Sequence, residues 1–390
     1  MDAQGKQYVV GIMEVVVSNQ GEQDWRNLVK EAVDGFKSRL SDLNLVFQVF
    51  EFSGPHLTPA GGGYEPLDFL QIGMSEKVER KLPFLLVVTE VDLSASNLTY
   101  TLAYPSQLTN IGILSTKRLS PSFWGHPPNP QRTQERLATL LLHTLGHLVG
   151  LVHSQDPKNA MFNFQTVQDL DGMSGLNAQQ KATIRKRLPS EAHEKYSRGN
   201  RTAFFFSMFF EDFASILRAV VQANPLHLLT QMPTMITAAV SIILAFFFST
   251  EMWDLSSSSN LLAVGSFAAV AILVSVIMLY QSFTFGGLVN RKREVSESTI
   301  VSEAAIMISL VLVVLLQYVV YAGLVYLTIV TFIPHDLMKS WPSSIPAVTW
   351  LDHLRMSMFL SSIGVIGGTL GGRADSKKVI RHAMFLDEQS

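Results

Sequence analysis

The sequence predicts two parts: an α+β lobe over the first half, then an all-α transmembrane domain of about four helices. Three observations predict it. Residues 1–200 alternate β-branched runs with amphipathic ones, as strands and helices do. HTLGHLVGLVH at 143–153 carries three histidines at metal-ligand spacing. The remainder holds four apolar runs long enough for a bilayer core of about 30 Å. A hydrophobic content of 47% with only 16% charged residues over 390 positions is unusual for a purely soluble chain. The net charge of −2 gives no pull toward nucleic acid. The absence of cysteine excludes a disulfide scaffold and fits a reducing compartment.

The elements follow in order. Residues 8–17 are β-branched and apolar, the pattern of a buried strand. Trp25, Leu28, Val29, Ala32, Val33, Phe36 and Leu40 recur at helical spacing over 24–41. A strand at 45–52, a Gly/Pro loop at 54–63 and a helix at 66–80 come next, then strands near 84–92, 98–104 and 110–115. The loop 120–130 holds four prolines. Asn129 is placed to cap a helix with Pro130 in its first turn, and that helix runs to about Val149. A last helix covers roughly 176–188, so the lobe occupies 1–188.

His143 and His147 stand four residues apart, on one helix face. Gly150 then lets the chain leave the helix through a left-handed turn, and His153 returns as a third ligand. Three protein ligands plus one open position make a catalytic zinc site. The segment resembles the metzincin metalloproteases, whose pattern is HExxHxxGxxH followed by a methionine turn. Met161, in KNAMFN at 158–163, stands where that turn would be. LLVVTEVDL at 85–93 and GILSTKRL at 112–119 resemble the archaemetzincin branch, and the likeness covers roughly residues 7–188.

The resemblance implies an α+β metzincin-like zinc-protease domain. Zn2+ would sit on His143, His147 and His153, supported by Gly150 and Met161, and a peptide substrate would lie along an edge strand near 110–116. Two departures matter. The branch carries cysteines after the third histidine and near the methionine turn, so a second, cysteine-bound zinc is not expected here. Thr144 stands where the family keeps the glutamate that takes a proton from water. A hydroxyl can hydrogen-bond that water but cannot accept its proton near neutral pH. Asp156 and Glu135 are the nearby carboxylates that could replace it.

Residues 189–202 are polar and read as a linker. Over 203–222, Phe206, Phe209, Phe213, Ile216, Leu217 and Val220 follow helical spacing opposite Ser207, Glu211, Ser215, Arg218 and Gln222, which predicts an amphipathic helix lying in the membrane interface. Residues 223–390 form the transmembrane domain, with spans near 231–250, 259–281, 304–333 and 354–372 and a tail after them. Gln317 is the notable polar group of the third span. Arg355 opens the fourth, where it is expected to snorkel. Glycines at 364–372 permit close helix packing, within the chain or in an oligomer. Without carboxylates, bases or histidines inside the spans, an ion pathway has little support.

RKR at 291–293 and Arg373, Lys377, Lys378 and Arg381 put that loop and the tail in the cytosol by the positive-inside rule. Loops 251–258 and 334–353 are then outside, with Trp253, Trp341 and Trp350 as interfacial anchors. Four spans place both termini and the zinc lobe in the cytosol. A five-span count, with 203–222 inserted, places the lobe outside. Three functions stay open: a membrane-anchored zinc peptidase, a pseudopeptidase that binds zinc or peptide without cutting, and a transporter or channel module with a cytosolic regulatory domain.

Overall fold

The computed structural model describes residues 7–17, 21–57, 64–95, 99–192, 195, 201–222, 225–230, 232–283, 297–333 and 348–371. The chain forms two compact units. One is residues 1–211 with the short stretches 285–302 and 385–390, and the other is 212–284 with 303–384.

The first unit is built on β1 (Gln7–Val15), β2 (Val46–Ser53), β3 (Phe84–Thr89), β4 (Ala103–Ser106) and β5 (Ile111–Ser115), in the spatial order β2-β1-β3-β5-β4. All neighbours are parallel except β4 and β5. The chain leaves β1 through α1 (Glu22–Ser41) to β2, and reaches β3 on the other side of β1 through α2 (Pro66–Arg80). Right-handed crossovers in opposite directions put the two helices on opposite faces. Tyr8, Val10 and Ile12 of β1 and Phe84, Leu86 and Val88 of β3 accordingly share one core with α1 residues Val29, Val33 and Phe36. The same core takes in Leu137, Leu140 and Leu141 of α3 (Pro130–Leu148). Near α2, Gly73 instead faces Val87, Ile111 and Leu85.

The expected edge near 110–116 is not the edge. β5 is enclosed between β3 and β4, and β4 is the outer strand. The physical reason is the short return at residues 107–110, where Asn110 takes φ 54° and sends β5 back antiparallel to β4. Pro105 sits in this outermost strand, a position where the missing N–H breaks no ladder.

A buried guanidinium locks α3 to the loop behind it. Arg136 is 3% exposed and binds Asp171 through Nε (2.7 Å) and Nη2 (2.9 Å), with Nη1 donating to the Leu119 carbonyl. Arg132 adds a second cation to the same carboxylate. The lobe closes with α4 (Ala178–Glu191), which runs on through Pro189 into the expected linker.

The interval 203–222 is two helices, α5 (Arg201–Glu211) and α6 (Phe213–Gln222), parted at Asp212, and they fall in different units. On α5, Phe206 and Phe210 are exposed and Phe209 is half-buried. On α6, Phe213, Leu217 and Val221 are exposed while Ile216 and Val220 are buried, so the expected single apolar face is divided between solvent and the interior.

The second unit continues with α7 (Pro225–Thr230), α8 (Pro233–Phe247), α9 (Thr250–Ser258), α10 (Leu261–Phe283), α11 (Glu297–Phe332) and α12 (Trp350–Gly371). Among the described residues, three segments are long and apolar enough to cross a membrane: Leu261–Gln281, Ile300–Phe332 and Trp350–Gly371. The expected first span, 231–250, holds α8, whereas the expected loop 251–258 is helical as α9, which meets α8 at 88°. The sequence FFFSTEMWD explains the break. Ser249 ends the apolar run and bonds Glu251, and the Trp253 indole donates to the Phe247 carbonyl at the end of α8. Trp253 is therefore buried, whereas Trp350 is exposed. Trp341 lies outside the described residues, as do 291–293, Lys339 and the basic tail. Ser256, Ser257, Ser258 and Ser259 turn their hydroxyls back onto carbonyls of Trp253, Asp254 and Leu255, satisfying the last turn of α9 without water.

The glycines of α12 are used within the chain. A Cβ at Gly368 would lie 2.8 Å from the Met235 carbonyl oxygen of α8, and one at Gly364 would lie 2.6 Å from Ile243. Gly367 and Gly371 meet Ile242 and Ala238 in the same way, so α8 covers that face. Because α12 begins at Trp350, it also buries Asp352 and His353, which the expected span excluded. Arg355 does not snorkel freely: it pairs with Asp352 (3.1 Å), whose carboxylate also accepts from the Thr349 N–H and hydroxyl. Gln317 is fully buried and donates to the Tyr321 hydroxyl.

Asp171→Ala leaves the Arg136 charge buried without its carboxylate and lowers the stability of the lobe by about 3 kcal/mol, read by urea unfolding. Burial pushes the Asp171 carboxyl up, but the hydrogen bonds and charges of Arg136 and Arg132 outweigh it and hold the group below its ordinary value. Its stabilisation is therefore complete above the ordinary carboxylate range and fades as pH falls through the lower folded value. A parent that loses no more stability than Asp171→Ala as the pH falls through this acid window would contradict this.

Candidate metal centre

Helix α3 starts where Asn129 accepts the Arg132 N–H (3.0 Å) with Pro130 at the first position. It ends at Val149 in a glycine turn. The Leu151 N–H reaches the Gly146 carbonyl (2.9 Å), the Gly150 N–H reaches that of His147 (2.8 Å), and Gly150 takes φ 79°. This is the Schellman arrangement, which reverses the chain in the fewest residues. Two side chains brace it: Gln107 donates to the His147 carbonyl (2.8 Å) and Arg187 to that of Gly150 (2.6 Å). A Cβ on Gly150 would collide with both.

The turn returns His153 to the two histidines of α3. His147 Nε2 lies 3.0 Å from His143 Nε2 and 3.1 Å from His153 Nε2. Three nitrogens held about 2.0–2.1 Å from one tetrahedral ion stand a little over 3 Å apart, so the spacing fits Zn2+. His143 Nδ1–H donates to the Ala160 carbonyl (2.7 Å), which leaves the Nε2 lone pair for the ion. His143 is wholly buried and His147 nearly so. Burial, then repulsion from the His143 and His153 rings, pushes His147 down to about 2. The His147 ring is thus neutral, in the form that binds metal. Zinc is the ion this donor set is built for.

Among the described residues the converging group is these three histidines alone. Asp156 is exposed and accepts the Lys158 N–H within its own turn, while Glu135 is exposed two turns back on α3. Neither joins the cluster. Thr144 is fully buried with its methyl against Gly112 of β5, where a Cβ would overlap it. Its hydroxyl has no hydrogen-bond partner among the described residues. Met161 is also buried, its sulfur in the space a Cβ on Gly146 would need, between the two α3 ligands. Gln107, Asn159, Gln180 and Arg187 were not legible as site residues. They carry no motif, and only the folded chain brings them to the turns.

No family model matches this chain. It is 36% identical over 84 residues to an archaemetzincin of Pyrococcus furiosus, covering 22% of this chain and 44% of that protein. It is 32% identical over 87 residues to an archaemetzincin of Methanocaldococcus jannaschii, covering 22% and 49%. The chain thus spans just under half the length of these curated relatives. Among solved structures, the archaemetzincin of Methanopyrus kandleri is 19% identical, with a TM-score of 0.36, over 48% of this chain and 98% of that one. A zinc-dependent peptidase of Methanocorpusculum labreanum is 16% identical, with a TM-score of 0.36, over 45% and 100%. The sequence similarity to these archaemetzincins extends over 84 and 87 residues, 22% of this chain.

Elemental analysis of the purified chain is expected to return about one zinc per molecule, and His147→Ala to return none. Equal zinc in both would remove the tripod as the site.

Proposed function

We propose that the chain is a membrane-anchored, cytosol-facing zinc-peptidase lobe whose cleavage step is disabled at Thr144. The observation that carries this reading is the Thr144 hydroxyl, buried beside His143 with no partner among the described residues. A buried orphan hydroxyl calls for an unseen partner, and a water held at the open metal position is the natural one. A zinc ion on the three histidines would acidify that water and polarise a peptide carbonyl. Thr144 can orient the water but cannot take its proton, and a lost general base typically costs about 10²–10⁴ in rate. The lobe then holds peptide more effectively than it cuts.

Replacing Thr144 by Glu is the direct test. Gly112 of β5 presents no side chain to position 144. With zinc content matched, Thr144→Glu is expected to cleave casein or a peptide library about 10²–10⁴ faster than the parent. A zinc-loaded Thr144→Glu no faster than the parent would defeat the peptidase reading and leave zinc or peptide holding as the function.

The membrane topology we propose rests on charge. The basic loop 291–293 between α10 and α11 and the basic tail belong in the cytosol. A cytosolic lobe then requires one crossing before α10, and the bent pair α8–α9 supplies it. On α6, Phe213, Leu217 and Val221 face the lipid surface in this reading. The cysteine-free chain permits single-cysteine labelling with a membrane-impermeant maleimide. On intact cells Ser258→Cys is expected to react and Asp42→Cys to react only after permeabilisation, while Leu217→Cys stays unlabelled in both. Labelling of Asp42→Cys on intact cells would place the lobe outside.

A further inference from the structure

Residues 160 and 161 bond His143 and the residue after His153, and pack on the helix turn between His143 and His147. The Ala160 carbonyl accepts from His143 Nδ1 (2.7 Å). The Met161 side chain lies on Gly146, between His143 and His147. The Met161 carbonyl accepts the N–H of Ser154, the residue after His153 (2.7 Å). This three-residue platform meets the His143 ring directly and the backbone beside His147 and His153, so whatever holds it bears on the geometry of the centre.

Asn159 holds it. The residue is 5% exposed. Its Oδ1 accepts the Met161 N–H (2.8 Å), its Nδ2 donates to Gln180 Oε1 (2.9 Å), and its own N–H reaches the Asp156 carbonyl (3.0 Å). Gln180 is fixed in turn. Its Oε1 also accepts the Asn177 N–H (2.9 Å), and its backbone N–H donates to Asn177 Oδ1 (2.8 Å), a reciprocal cap at the start of α4. The same helix supplies Arg187 to the Gly150 turn. An amide suits this place because it offers an acceptor and a donor in one plane. A hydroxyl is too short to reach both partners, and a carboxylate lacks the donor.

We propose that Asn159, fixed by Gln180 of α4, is the positioning residue of the metal centre, setting the direction of all three imidazoles through the 159–161 platform. The proposal rests on the zinc reading of the tripod. Partners one step beyond the ligands typically govern metal affinity by about 10–100-fold, and that is the loss expected in Asn159→Ala.

The experiment uses the full chain in detergent, with zinc affinity measured by chelator competition and site geometry by the visible absorption of bound Co2+. Asn159→Ala is expected to weaken zinc by about 10–100-fold and to alter the Co2+ band. Gln180→Ala is expected to do the same to a smaller degree. Gln180→Glu, whose carboxylate still accepts from both N–H groups, is expected to restore parental affinity and spectrum. Parental affinity and an unchanged Co2+ band in both alanine variants would overturn the proposal while leaving the zinc site intact. A lowered melting temperature with unchanged affinity would also overturn it, assigning Asn159 to loop packing. No zinc in the parent would defeat the zinc reading and this proposal together.

Discussion

Three imidazoles are crowded together at the edge of a protein interior, their ligand nitrogens within 4.8 Å of one another, and the lobe is organised around keeping them there. Such crowding opposes protonation, because burial and mutual repulsion both penalise the charged ring. Left unsupported, the rings would swing apart toward water. Each is restrained from a different direction. His143 is pinned by a backbone carbonyl, His147 by its place on a helix packed against the sheet, and His153 by a turn that only glycine at position 150 permits. The sheet fixes the helix, the helix end fixes the turn, and the loop through Met161 closes the circuit.

The same packing decides what chemistry is available. Position 144 faces β5 at a glycine, so its side chain is set by the sheet and cannot be relieved by moving the helix. A threonine there is buried, neutral and without a proton acceptor of useful basicity. The nearby carboxylates lie outside the cluster, since Asp156 accepts within its own turn and Glu135 is not among the converging groups. In the proposed reading, metal holding depends on a network of turns and supports, and proton transfer on one side chain.

The helical unit solves a different problem, which is packing apolar helices without a hydrophobic driving force between them. Glycines on α12 let it approach the backbone of α8, and serine hydroxyls close the end of α9 on its own carbonyls. Asp352 and Arg355 neutralise one another one turn apart, at the start of the helix, where the carboxylate also caps Thr349. Some polar groups of this unit are paired within a helix turn, Asp352 with Arg355 and Gln317 with Tyr321 among them.

Local chemistry was legible in the sequence. The strand and helix order of the lobe, the Asn129 and Pro130 start of α3, the left-handed turn at Gly150 and the spacing of the three histidines each follow from residue type and period, because those depend on neighbours within a few positions. So did the apolar length of three spans. The outer position of β4, the right-angle break between α8 and α9, the division of 203–222 at Asp212 and the burial of Asp352 and His353 were not legible. Each depends on which distant backbone lies alongside. The roles of Asn159, Gln180, Gln107 and Arg187 belong to the same class. By itself the sequence determined which atoms are available to hold a metal and which proton acceptor is missing. Only the tertiary structure decided that those atoms meet, because their convergence is set by contacts between segments 20 to 40 residues apart, whose closure no local pattern encodes.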